Sequence, residues 1–118
     1  MAYVDGFVVP VPEGNKAAYL DLATRAADVF RKHGALQVVE AWGDDVPDGK
    51  VTDFRLAVQA QDGEAVVFSW ILWPSREARD AGHEKAMKEL SATIEAGMPF
   101  DGKRMIFGGF SMLLDTAA

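Results

Sequence analysis

Residues 64–73 read EAVVFSWILW, and this stretch decides the fold. It is rich in β-branched and aromatic side chains and follows an Asp62-Gly63 turn signal, so it reads as a strand. Val66, Phe68, Trp70 and Leu72 fall on one side, and Val67, Ile71 and Trp73 on the other. A strand with one face in water alternates apolar and polar residues. This one is apolar on both faces, so the sheet that contains it needs two covers.

The segments on either side supply one cover. Upstream, YVDGFVVPV (3–11) alternates as a strand that Pro10 and Pro12 are expected to end, because neither can donate to a ladder. Asn15 stands as an N-cap before a helix whose apolar stripe is Tyr19, Leu22, Ala23, Ala26, Val29 and Phe30; His33-Gly34 closes it. Leu36–Gly43 reads as a second strand, GDDVPDGK (43–50) as a polar turn, and 52–60 as either strand or helical turn. Downstream, Ser75 caps a helix that runs to about Leu90, or to Ala96 with a break. MPFDG (98–102) makes a turn, and Arg104–Leu114 forms the last strand. The order is β-α-β-(β)-β-α-β. This predicts an α+β, ferredoxin-like fold, with a four-stranded antiparallel sheet and both helices on one face. The economical second cover is the sheet of an identical subunit, which predicts a homodimer through the sheet faces.

Composition sets the remaining bounds. The 118 residues, 49% hydrophobic and 25% charged, suit one packed domain spanning 1–118. The absence of cysteine excludes disulfide scaffolds, thiolate metal sites and cysteine nucleophiles. Eighteen acidic against twelve basic residues, net −6, oppose nucleic-acid binding, and the sheet lacks the basic, Gly-aromatic signature of an RNA-stacking platform. No apolar run reaches the roughly 18 residues of a membrane span, and MAYVDGF does not resemble a secretory signal. A soluble, cytoplasmic protein without membrane or nucleic-acid partners is expected.

Few residues carry chemistry. Asp5, among Tyr3, Phe7 and Val9, is a carboxylate on an apolar face: a candidate general base, or a partner for Arg104 or Lys103 that holds strand register. Glu40, among Leu36, Val38 and Trp42, has the same two readings. His33 reads as part of a helix cap. Arg79 and His83, one helical turn apart, fall within an apolar half formed by Ala78, Gly82, Ala86, Met87, Leu90 and Ile94. They should therefore line a cavity or the helix–sheet seam. Two histidines without HxxxH or HExxH spacing, and an Asp44-Asp45-Asp48 loop without EF-hand spacing, predict no metal site. Gly108-Gly109 precedes no helix and so reads as a bulge or a close approach by another backbone, not a phosphate loop.

YVDGFVVPVP, FRKHGAL, GDDVPDGK, EAVVFSWILWPSREARD and MPFDGKRMIFGGF, taken together and in this order, resemble the YbaA-like family, domain of unknown function 1428. That family is similar to dimeric α/β-barrel proteins, in which two ferredoxin-like sheets pack face to face; it implies no particular activity and no cofactor. The order Trp73 then His83 also resembles cofactor-free and haem-degrading monooxygenases built on that barrel. Those use an Asn on the first strand, where this chain has Asp5 and no Asn. Two functional readings follow. One is a small-molecule-binding or accessory protein with a pocket drawn from Tyr3, Asp5, Trp70, Trp73, Arg79 and His83. The other is a monooxygenase acting on an aromatic substrate or on haem. An open cavity uniting Asp5, Trp73, Arg79 and His83 would favour either over a purely structural dimer.

Overall fold

The computed structural model describes residues 2–117. Its first strand, β1 (Tyr3–Pro12), runs through Pro10 and ends at Pro12. The reason is local. Pairing with the last strand stops at Val8↔Ile106, so beyond Val8 one edge of β1 has no neighbour, and a missing N–H there costs no ladder bond. The other edge stays paired as far as Pro12↔Glu64.

Helix α1 (Lys16–Lys32) follows a single 3₁₀ turn. Asn15 does not cap it through its side chain; its Nδ2 instead donates to the Pro99 carbonyl, 2.9 Å away. At the far end Gly34 takes φ +110°. Strand β2 (Gln37–Trp42) pairs with β3 (Glu64–Trp73), and the stretch between them resolves into a short helix, α2 (Phe54–Ala57). The Asp53 carboxylate starts α2 by accepting the Leu56 N–H at 2.7 Å. Helix α3 (Arg76–Glu95) is capped by the Ser75 hydroxyl, which accepts the Ala78 N–H, and it continues past Leu90 without a break. Strand β4 (Ile106–Ser111) is shorter at both ends than alternation predicts; it starts late because residues 102–104 form a 3₁₀ turn seeded by Asp101, and its pairing with β1 ends at Tyr3↔Ser111, where β1 begins.

The sheet order is β2-β3-β1-β4, antiparallel throughout, which is the ferredoxin-like α+β arrangement. Tyr3, Ile71 and Trp73 pack with Phe30, while Val9, Val11 and Val67 pack with Tyr19, so α1 lies on the face that holds Ile71 and Trp73. Gly82 lets α3 come down on the same face. A Cβ there would collide with the Trp73 ring and the His33 carbonyl.

The opposite face is only partly covered. Val58, just after α2, packs on Val8 and Val66, and Phe54 stands edge-on to Phe68. Beyond that, Phe68, Ile106 and Phe110 are 44%, 45% and 59% exposed. The molecule is a slab of 38 × 36 × 21 Å with one bare side.

Candidate functional site

Two polar constellations lie on the helix-covered face. The first joins β1, β3, α3 and β4. Asp5, 5% exposed, receives three contacts from Arg79, Nε to Oδ1 at 3.0 Å and to Oδ2 at 3.2 Å and Nη2 to Oδ1 at 2.9 Å, and one from Trp73 Nε1 to Oδ2 at 3.0 Å. The Arg79 guanidinium lies 5.1 Å above the Tyr3 ring. Gly109, opposite Asp5 in the ladder, leaves room for this stack; a Cβ there would strike the Tyr3 hydroxyl and the Arg79 guanidinium. Gly109 thus serves close approach by side chains, and the expected bulge or backbone approach is not found: β4 keeps unbroken register across both glycines, and Gly108 has room for a Cβ. Asp5 does not pair with Arg104. That residue grips Glu64 through two 2.7 Å contacts at the other end of the sheet.

The second constellation is a cleft of about 310 Å³ between the sheet and the two long helices. Its floor includes Phe7, Val9 and Ile71, and its roof includes Ala23, Ala26, Met87 and Leu90. Small residues on α1 keep that helix from filling the space. The polar residues that line it are Tyr19, Glu40, Ser69, His83 and Thr93. The Tyr19 hydroxyl donates to Glu40 Oε1 at 2.6 Å, and Ser69 stands directly opposite Glu40 in register. Desolvation raises the Glu40 pKa, although hydrogen bonds from Tyr19 and Ser69 act against it. Glu40 is nonetheless accessible, since it sits on edge strand β2 and faces the open cleft. Burial, together with the adjacent carboxylate, holds the Tyr19 phenol protonated far above its usual range.

Of the residues singled out from sequence, Tyr3, Asp5, Trp73 and Arg79 come together in the first constellation, and His83 lines the cleft. Phe30 stands between the two groups, 6.3 Å from Trp73 and 6.1 Å from His83 between ring centres. Trp70 lies on the bare face, where its indole N–H reaches Gln37 at 3.4 Å. His33 closes α1 and contacts Glu89 of α3 at 3.1 Å. Sequence reasoning passed over Tyr19 and Ser69 as site residues. Ser69 carried a signal: it is a small polar residue midway along an apolar strand.

A model of the family described as "Protein of unknown function (DUF1428)" matches residues 2–102. The chain is 56% identical over 116 residues to "Uncharacterized protein YbaA" of Escherichia coli (strain K12), covering 98% of this chain and 99% of that one. Among solved structures, it is similar to SnoaB, a cofactor-independent oxygenase from Streptomyces nogalater. The TM-score there is 0.58 at 14% identity, covering 99% of this chain and 96% of that one. Rv0793 from Mycobacterium tuberculosis gives a TM-score of 0.54 at 13% identity, covering 98% and 99%. Identities this low speak for the fold alone.

Proposed function

The chain belongs to the DUF1428 family, and from that premise we propose that it is a small-molecule-binding protein that works as a homodimer, with the helix–sheet cleft as its site. The observation that carries the reading is the cleft itself. Its volume of about 310 Å³ meets the lower bound of small-molecule sites, roughly 300–1,000 Å³. Its apolar walls carry a few convergent polar groups, Tyr19, Glu40, Ser69 and His83. In this reading the Tyr3–Asp5–Trp73–Arg79 cluster fastens the start of α3 to the sheet and does not touch the ligand.

The homodimer draws support from the bare sheet face. The isolated chain exposes 7735 Å², against roughly 6,300 Å² for a typical monomer of this mass. The excess is comparable to the surface one subunit loses in a stable dimer, which is about 800 Å² or more.

A thermal-shift screen of small apolar molecules tests the binding reading. Hits should raise the melting temperature of the native protein and leave an Ala26→Phe variant, whose cleft is filled, unmoved. Hits that shift both proteins equally would place binding elsewhere and sink the proposal.

A second reading, an oxygenase on the same scaffold, is favoured by Glu40. A carboxylate in an apolar cleft can accept a proton from an acidic aromatic substrate, and SnoaB shares the fold. Oxygen consumption that depends on a cleft ligand and is lost in Glu40→Gln would select it.

A further inference from the structure

Resting on the binding reading, we infer that the cleft selects apolar molecules bearing a protonated amine over their anionic counterparts, and that Glu40 is the residue that selects. The inference starts from charge. Glu40 is the one carboxylate among the residues lining the cleft. Its partners are hydroxyls, Tyr19 from α1 and Ser69 from β3. None of the ion pairs among the described residues includes it.

Other charged groups do not take its place. The nearby ammonium of Lys16 lies over the Trp42 ring at 5.2 Å. The turn and strand closing the cleft add Met98, Phe100, Met105 and Phe107, none of which titrates. His83, on the roof contributed by α3, is the only other ionisable lining group besides Tyr19.

A carboxylate held by neutral donors beside apolar walls keeps acceptor capacity that an ammonium can use in a charge-assisted bond. An incoming carboxylate or phosphate would instead meet like charge, with no lysine or arginine among the lining residues to offset it. The chain's net charge of −6 biases encounter in the same direction. Tyr19 adds orientation. Its proton is committed to Glu40 Oε1, which leaves the carboxylate's remaining lone pairs to an incoming donor.

The test uses three probes of one shape and different charge: 2-phenylethylamine, 2-phenylethanol and phenylacetate. Each is titrated into the isotopically labelled native protein, Glu40→Gln and Ala26→Phe, with chemical shifts of cleft residues followed into the millimolar range. The amine should bind the native protein about tenfold or more tighter than phenylacetate, the size of effect one charge-assisted bond gives. Glu40→Gln should remove the amine's advantage over phenylethanol. In the native protein that advantage should also fade as pH drops through the titration of Glu40, which provides the test should the variant fold poorly.

An amine that binds no better than phenylacetate, or a preference that survives Glu40→Gln, overturns the inference. Equal binding of all three probes that Ala26→Phe abolishes would leave the binding reading standing and remove only charge selection. Absence of saturable shifts at cleft residues with every probe would remove both.

Discussion

Asp5 and Glu40 begin as similar residues, each a carboxylate on an apolar strand face, and their neighbours separate them. Asp5 meets a guanidinium and an indole N–H, while Glu40 meets only hydroxyls. Removing Arg79 leaves Asp5 buried with one donor. Arg79→Ala should therefore lower stability toward the lower end of the roughly 3–5 kcal/mol typical of a broken buried pair, because the Arg79 side chain keeps 24% exposure. His83→Ala strands no partner and should change denaturant-unfolding stability by less than about 1 kcal/mol. It should still weaken cleft binding. A large loss in His83→Ala with none in Arg79→Ala would reverse these roles. Glu40 gives a pH signature of opposite sign to a salt bridge. Its pKa is raised in the folded state, so the native protein holds its proton more tightly than the unfolded chain, and ionisation costs stability. Glu40→Gln should melt higher than the native protein at neutral pH, and the gap should close as pH falls below about 4.5, the usual glutamate value. Parallel melting curves at pH 4 and pH 7 check this.

At the scale of elements, Glu64 ties several together. It begins β3, and its carboxylate takes both Arg104 contacts and the Gln61 N–H at 2.7 Å. Arg55 of α2 donates to its carbonyl at 2.8 Å. One residue thus fastens the excursion over the bare face and the turn before β4 to the sheet. The Arg104 guanidinium holds the Glu64 carboxyl below its usual range, so this stabilisation is complete above about pH 4.5 and is lost as pH falls through the lowered value. Glu64→Gln should lower the melting temperature at neutral pH. Its effect should shrink on acidification, and amide exchange in α2 and residues 102–104 should speed up before that in β1. An unchanged exchange pattern would show that these segments hold by other contacts. The contrast with α1 is instructive. Asn15 sits where a capping residue belongs, yet its Nδ2 donates to the Pro99 carbonyl, and its backbone, at the end of a 3₁₀ turn, lacks the extended conformation from which a side-chain oxygen caps a helix.

For the whole molecule, the structure turns two equivalent-looking substitutions into different experiments. Phe68 is 44% exposed on the bare face, whereas Ile71 is 5% exposed beneath the helices. Phe68→Glu should convert a sheet-face homodimer into 12.8 kDa monomers in sedimentation while keeping native circular dichroism. Ile71→Glu buries a charge in the core and should unfold the chain. Native protein that sediments as a monomer, or a Phe68→Glu variant that stays dimeric, would refute face-to-face assembly. Among the described residues no helix is long and apolar enough to cross a membrane.

Residues 64–73 by themselves determined that a sheet apolar on both faces had to exist, and the order of strand and helix signals around them determined the ferredoxin-like topology. Both rest on short-range periodicity, a property of consecutive side chains. Tertiary structure alone decided the rest. It carried β1 through Pro10 as far as Pro12, because only the sheet order shows that one edge there is free. It parted Arg79 from His83, neighbours on one helix, by setting the first above the strand ends and the second above the cleft. It brought Tyr19 to Glu40 across 21 residues of sequence. Such contacts depend on how far a helix stands from a sheet and how it is turned about its axis. Those quantities are set by the volumes of many distant side chains at once, with Gly82 and Gly109 marking two places where α3 or its side chains come too close to the sheet for a Cβ.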